Sequence, residues 1–171
     1  MKTLLTETTV FETGVNIYPM KSLQETYAPQ SICFGCGPAN EKGLRIRSFP
    51  QDGKVLCEWQ PQSHHEAFPG MMNGGIVGSL LDCHSNWTAA WHYMQENKLK
   101  EPNSTVTAEF HVKLLKPVPS DQKLKLEAKV VESTGRKIKV HADLFANNEI
   151  CATCDGLFVA VKPGHPAYGR W

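Results

Sequence analysis

Polar and apolar positions alternate with a period of two through the second half of the chain. Turn-forming residues separate four predicted strands. Three of them alternate, namely Val106–Leu114, Leu124–Val130 and Ile138–Leu144. The fourth, Ile150–Val161, is apolar on both faces. A period of two is that of a β-strand, and alternation to apolar marks one buried face. The connections between the last strands are too short for crossover helices, so we predict that those strands are antiparallel.

One segment has the period of a helix instead. Between Gly75 and about Gln95, one broad stripe repeats at spacings of three and four; its members are Ile76, Val77, Leu80, Leu81, His84, Trp87, Thr88, Trp91 and Met94. No other long helix is predicted. A sheet with one apolar face needs a cover, and this helix can provide it. The pattern therefore predicts an α+β domain in which a curved antiparallel sheet wraps around one long central helix.

The periodicity is weaker near both ends of the chain. Residues 1–30 are predicted to form an N-terminal arm and residues 163–171 a C-terminal tail, with one domain, residues 31–162, between them. Inside that domain, Leu44–Phe49 and Lys54–Trp59 are predicted to be paired strands, because turn chemistry separates them.

Composition narrows the classes of partner. The 171 residues suffice for one domain with a core, and the formal net charge of +1 gives no general attraction to nucleic acid or to an acidic membrane surface. No apolar run approaches the length that crosses a bilayer, and the first ten residues are too polar for a signal peptide. We expect a cytoplasmic protein with neither nucleic acid nor membrane as a partner.

Six cysteines include two Cys-x-x-Cys pairs. Cys151 and Cys154 lie in a predicted strand, where residues three apart point to opposite faces, so we interpret them as small buried hydrophobic residues. Cys33 and Cys36 lie in a turn-rich segment and could form half of a zinc site, but the sequence offers no matching second half. We predict no metal site and no cofactor.

The start of the predicted helix carries candidate chemistry. Beside the apolar stripe runs a face of small and polar residues, which are Gly75, Gly78, Ser79, Asp82, Ser85, Asn86 and Ala89. Asp82 is its only charge. The first backbone N–H groups of a helix lack intrahelical partners and attract negative charge. A carboxylate two turns further on could act on a group that these N–H groups polarise. The alternative is that Asp82 is a solvated surface charge.

Three segments together resemble a known family. The stretch from His65 to Gly75, His-x-x-x-Pro-Gly-x-x-Asn-Gly-Gly, followed by Asp82, resembles the signature of the hotdog-fold acyl-CoA thioesterases, the phenylacetyl-CoA and 4-hydroxybenzoyl-CoA thioesterase superfamily. The stretch 33–44, Cys-Phe-x-Cys-Gly-x-x-Asn-x-x-Gly-Leu, resembles a segment found in one branch of that superfamily. The stretch 105–117 resembles the strand that follows the helix in that superfamily.

The resemblance implies a hotdog fold and hydrolysis of an acyl-CoA thioester to the free acid and coenzyme A. Two chains would pair as a homodimer, with a dimer of dimers as the larger alternative, and active sites would lie between subunits. Asp82 would be the nucleophile or the general base, and the Gly75 N–H of the neighbouring chain would hold the thioester oxygen. Thr107 matches a hydroxyl that orients the water or the acid. Asn73 stands where the family usually has His; its amide can donate a hydrogen bond but cannot shuttle a proton.

Four further residues are predicted to contact the substrate, namely Gly74, His65, Met72 and Ser85. The main alternative function is a non-catalytic hotdog protein that binds acyl-CoA, which Asn73 favours and Asp82 disfavours. A hotdog dehydratase or hydratase would need a histidine that the sequence does not place convincingly. Zinc-dependent nucleic-acid binding lacks a second ligand pair and a basic patch. His84 is interpreted as a core histidine, because its side chain diverges from that of Asp82.

Overall fold

The elements of the fold follow the predicted order. The structure is a computed structural model that describes residues 21–169. Its elements are α1 (Leu23–Tyr27), β1 (Phe49–Gln51), β2 (Lys54–Trp59), a 3₁₀ turn (Ser63–His65), β3 (Glu66–Phe68), β4 (Met71–Met72), α2 (Gly74–Glu96), β5 (Thr105–Leu114), β6 (Leu124–Thr134), β7 (Lys137–Ala146) and β8 (Glu149–Ala160).

Six of the strands form one sheet in the order β1-β2-β6-β7-β8-β5, and β3 and β4 form a separate hairpin. Every neighbouring pair in the large sheet is antiparallel. Helix α2 packs against β5, β6, β7 and β8. The predicted α+β hotdog fold, an antiparallel sheet with one long helix packed on it, is confirmed. None of the helices within residues 21–169 has the length and apolar character needed to cross a bilayer.

Helix α2 is buried on its apolar stripe and beyond it. The stripe residues Val77, Leu80, Leu81, His84, Trp87, Thr88 and Met94 are buried, as predicted. Ser85, Ala89 and Ala90 are also buried, because small residues let the covering strands approach a second side of the helix. Each fully buried large apolar side chain of this stripe stabilises the fold by about 1.5–3 kcal/mol.

The predicted hairpin is present but displaced along the chain. Strand β1 begins at Phe49 rather than at Leu44, and the turn lies at Asp52 and Gly53, both with positive φ. Leu44 and Ile46 are buried as their alternation suggested. Their N–H groups donate to the carbonyl oxygens of residues 34 and 35 at 2.8 and 3.0 Å, so this stretch pairs with the cysteine loop and not with the sheet.

Part of the predicted N-terminal arm packs into the domain. Residues 1–20 lie outside the described residues, as do residues 170 and 171 of the predicted tail. Leu23 and Ala28 belong to the hydrophobic core, with 4% and 1% of their surface exposed. The sequence of this segment shows no periodic apolar pattern, because a single helical turn contacts the core through few side chains. The core therefore extends to residues before 31.

A buried polar network joins α1, β2 and α2. His84 donates from Nε2 to the Val55 carbonyl oxygen at 3.0 Å and accepts at Nδ1 from the Ser48 hydroxyl at 2.9 Å. The Gln24 amide donates to Ser48 Oγ at 2.9 Å and accepts from the Ser48 N–H at 2.8 Å. Burial lowers the pKa of His84 to about 4, so the ring is neutral and has one donor and one acceptor for its two partners. The interpretation of His84 as a core histidine is confirmed.

Replacing Ser48 with Ala is expected to destabilise the fold by about 1–3 kcal/mol, because buried groups of His84 and Gln24 would lose a partner. Urea unfolding followed by circular dichroism measures the change. Ser63→Ala, at an exposed position, is the matched control and should leave the free energy of unfolding within about 0.5 kcal/mol. Equal stability of the two variants would contradict the role given to the network.

Candidate active site

Asp82 is held by a strand residue rather than by solvent. It lies two turns into α2 and is half-buried. The hydroxyl of Thr107 on β5 donates to Asp82 Oδ1 at 2.8 Å. Burial raises the pKa of the Asp82 carboxyl above its usual value, and the Thr107 bond acts in the opposite direction. The bond orients the carboxylate and leaves lone pairs on its second oxygen for another donor, such as water.

A β-bulge in β5 turns Thr107 toward the helix. Thr107 pairs with Phe158 while Glu109 pairs with Leu157, so Ala108 is an extra residue in this strand. An extra residue reverses which side chains face the sheet's inner surface. Simple alternation would place Thr107 on one face with Glu109 and His111. The bulge breaks that pattern, and of these three residues only Thr107 makes a side-chain hydrogen bond to α2 within the described residues.

Hydrogen bonds extend from Asp82 to the next turn of the helix. Asn86, four residues after Asp82, donates from Nδ2 to Thr107 Oγ1 at 3.5 Å. The Thr105 hydroxyl donates to Asn86 Oδ1. The sequence places Asn86 on the polar face of the helix but predicts no role for it. Its spacing of four from Asp82 is the signal that the two side chains lie on one side of the helix. These bonds set the position of the hydroxyl that holds Asp82.

Asn73 is the N-cap of α2. Its Oδ1 accepts from the N–H groups of Gly75 at 2.8 Å and Ile76 at 3.3 Å. The expectation of an unpaired amide at Gly75 is therefore wrong in this structure, because Asn is among the strongest helix caps. With Oδ1 engaged by the helix start, Asn73 still carries two N–H donors on Nδ2.

Asp82 and Gly75 are too far apart within one chain to act on the same carbonyl. Seven residues of α-helix separate them, which is about 10 Å along the axis. A carbonyl carbon and its oxygen need a nucleophile and a donor that both lie about 3 Å away. The two halves of the candidate site would have to come from different chains.

His65 supports the helix start instead of pointing to solvent. Its ring is buried, packs on Trp59 with ring centres 4.8 Å apart, and accepts at Nδ1 from the Gln62 N–H at 3.0 Å. Its carbonyl oxygen accepts from the Asn73 N–H at 2.9 Å. Burial, and secondarily the neighbouring His64, lower the pKa of His65. The residue thus positions Asn73 through the backbone.

The remaining predicted contacts are divided between a cavity and the core. Met72 and Gly74 line a cavity of about 270 Å³ at the start of α2, together with Val77 and residues 114–118. Ser85 is fully buried, and its hydroxyl has no hydrogen-bond partner within the part of the chain that the structure describes.

A larger cavity, of about 650 Å³, lies near the other end of α2 and does not include Asp82. The face around Asp82 is open instead. A side chain at Gly78, one turn before Asp82, would meet no atom within 4 Å. There is therefore room beside the carboxylate for a substrate or for a second chain.

The family model of the thioesterase superfamily matches residues 69–152. That segment contains Asn73, Gly75, Asp82 and Thr107, the four residues predicted to be catalytic. The predicted resemblance to the thioesterase superfamily is confirmed. No curated protein sequence matches the chain.

Solved structures have the same thioesterase-like fold. A thioesterase superfamily protein from Shewanella loihica PV-4 is 25% identical, with a TM-score of 0.60 over 73% of this chain and 98% of that one. A phenylacetic acid degradation-related protein from Ralstonia eutropha JMP134 is 15% identical, with a TM-score of 0.62 over 81% and 99%. Zebra fish thioesterase superfamily member 2 is 17% identical, with a TM-score of 0.59 over 72% and 90%.

Proposed function

We propose that this protein hydrolyses an acyl-CoA thioester to a free acid and coenzyme A. The observation that carries the proposal is the Thr107–Asp82 hydrogen bond of 2.8 Å, which holds a half-buried carboxylate inside the segment that matches the thioesterase superfamily. A carboxylate in this state can take a proton from water, since burial raises the pKa of Asp82 and makes it a stronger base.

In the proposed reaction, Asp82 acts as the general base. It takes a proton from a water molecule as the water oxygen forms a bond to the thioester carbon. The carbon–sulfur bond then breaks and coenzyme A leaves as a thiolate, which takes up the proton. A thiol is acidic enough to leave without a dedicated acid, so Asn73 in place of His is compatible with turnover. Direct attack by the Asp82 carboxylate, through a mixed anhydride that water hydrolyses, is the second route.

The oxyanion donor is assigned to the start of α2 in a neighbouring chain. The Asn73 Nδ2 group carries two N–H donors, while the Gly75 N–H is engaged by the cap. We therefore place Asn73 Nδ2 first among the groups that hold the thioester oxygen. The Gly75 N–H joins it only if substrate displaces the Asn73 side chain.

The edge strand β5 is the surface that we assign to the dimer. It ends the sheet that residues 21–169 form, so one row of its backbone groups has no strand partner among those residues. Phe110, Leu114 and Leu115 on or directly after this strand are 43%, 58% and 56% exposed. Pairing with a second copy would cover them and continue the sheet. A dimer of dimers is the larger assembly compatible with the proposal.

The occupied Gly75 N–H favours one alternative, a hotdog protein that binds acyl-CoA without turnover. A colorimetric assay of free thiol, with a panel of short-chain, long-chain and aromatic acyl-CoAs, separates the two functions. The proposal predicts that thiol accumulates well beyond one equivalent per chain with at least one member of the panel. Saturable acyl-CoA binding without thiol release over hours would identify the binding protein.

A further inference from the structure

Two cysteines of the loop and one distant cysteine on α2 lie close together. The Sγ atoms of Cys33, Cys36 and Cys83 all lie within 4.8 Å of one another, and those of Cys33 and Cys83 are 3.9 Å apart. All three are free thiols. The sequence indicates that Cys33 and Cys36 could form half of a metal site and offers no matching second half. The missing member is a single cysteine on the helix.

The separation of the sulfur atoms suits a shared metal ion. Zinc binds thiolate sulfur at about 2.3 Å in tetrahedral geometry, which places neighbouring sulfur ligands about 3.8 Å apart. A disulfide would require a separation of about 2.05 Å. The 3.9 Å between Cys33 and Cys83 matches the metal geometry.

Two glycines, Gly35 and Gly37, allow the cysteine loop to fold tightly and to lie close to α2. A Cβ atom on Gly35 would lie 2.3 Å from Cys83 Sγ, and one on Gly37 would lie 2.4 Å from the Ser31 carbonyl oxygen. A side chain in place of Gly35 would therefore push the Cys-x-x-Cys turn away from α2, and one in place of Gly37 would disrupt the backbone of the turn itself. Both glycines are therefore needed to bring the three sulfur atoms together.

Hydrogen bonds hold the loop in place independently of the thiols. Asn40 donates from Nδ2 to the Ile32 carbonyl oxygen at 3.2 Å. Arg47 donates from Nη1 to the Cys36 carbonyl oxygen at 3.3 Å. The chain before and after the two loop cysteines is thus fixed, and an ion would find the ligands already arranged.

One of the three sulfur atoms has a further hydrogen-bond donor. Trp87 donates from Nε1 to Cys36 Sγ at 3.3 Å. A donor of this kind stabilises thiolate sulfur, which is the form of cysteine that binds a metal ion.

We propose that Cys33, Cys36 and Cys83 bind one Zn²⁺ ion, which cross-links the 31–44 loop to α2 next to Asp82. Cys33 is exposed, so the ion can enter from solvent and a water molecule can complete the tetrahedron. Each cysteine that ligates the ion does so as a thiolate, so binding releases thiol protons. The site is structural and does not depend on the proposed hydrolysis.

Titration of the reduced protein with Zn²⁺, in competition with a chromophoric chelator, measures the affinity and stoichiometry. We expect one ion per chain, and Co²⁺ in place of Zn²⁺ should show thiolate-to-metal charge-transfer absorption in the near ultraviolet. Cys33→Ala and Cys83→Ala should weaken binding by more than about 100-fold. The matched control is Cys151→Ala, which removes a buried cysteine of the core outside the cluster and should bind like the wild type.

A thermal melt gives a second readout. Excess Zn²⁺ should raise the melting temperature of the wild type and of Cys151→Ala by about 5 °C, and leave that of Cys33→Ala unchanged. Absence of ion binding in the reduced wild-type protein would overturn the proposal. So would equal affinity of Cys33→Ala and the wild type. A Cys33–Cys36 disulfide that persists in reducing buffer and prevents Zn²⁺ binding would also overturn the proposal. It would indicate a redox pair instead.

Discussion

Replacing Asp82 with Asn is expected to lower kcat for acyl-CoA hydrolysis by about 10²–10⁴-fold, the usual contribution of a positioned general base. Asparagine has nearly the same shape and can still accept from Thr107, so the fold should be unaffected. It cannot take a proton from water or attack as a nucleophile. Since Asn keeps the contacts of the side chain, we expect KM to change much less than kcat.

Initial rates of thiol release, measured over a range of substrate concentrations, test this expectation. Asp121→Asn, at an exposed position, is the matched control and should retain wild-type kcat. Thr107→Val should lie between the two, because it removes the hydroxyl that orients Asp82 but leaves the carboxylate. Wild-type kcat in the Asp82→Asn protein would remove this residue from the mechanism.

The second large effect is expected at Asn73. Substitutions there can separate its role as the helix cap from its proposed role as the oxyanion donor. Aspartate caps a helix about as well as asparagine, so Asn73→Asp should leave the melting temperature close to that of the wild type. It has no N–H to donate, and its charge repels a developing oxyanion. We expect kcat to fall by about 10²–10³-fold, the cost of losing one oxyanion donor.

Asn73→Ala separates the donor from the helix cap. This variant should lose about 1 kcal/mol of stability. It also frees the Gly75 N–H, which the cap engages. If Asn73 Nδ2 is the oxyanion donor, kcat falls as it does in Asn73→Asp. Retained or increased kcat in Asn73→Ala would assign the role to the Gly75 N–H instead.

The architecture was accessible from the sequence because it rests on periodicity. The stripe on α2 and the alternation in the late strands each repeat many times, so single exceptions do not obscure them. The displaced hairpin shows what periodicity alone does not distinguish. Leu44 and Ile46 alternate because they are buried, yet they pair with a loop, and burial alone does not distinguish the two partners.

The candidate site was accessible only in part, because its geometry depends on single residues. One bulged residue, Ala108, reverses the direction of Thr107, and no repeated pattern signals a bulge. Asn73 was interpreted by its place in the family motif, whereas its capping bond to Gly75 depends on side-chain geometry. Cys83 lies 50 residues from Cys33, and nothing in the spacing of a lone helical cysteine indicates a partner so distant.

The central claim is that each active site combines Asp82 of one chain with Asn73 at the helix start of another. Mixing the Asp82→Asn and Asn73→Asp proteins, each nearly inactive, tests it most directly after subunit exchange has been verified by native mass spectrometry. A mixed dimer would contain one doubly defective site and one intact site. In an equal mixture at equilibrium, thiol release should recover to about one quarter of the wild-type rate. Recovery of no activity in verified mixed dimers would contradict a site shared between chains.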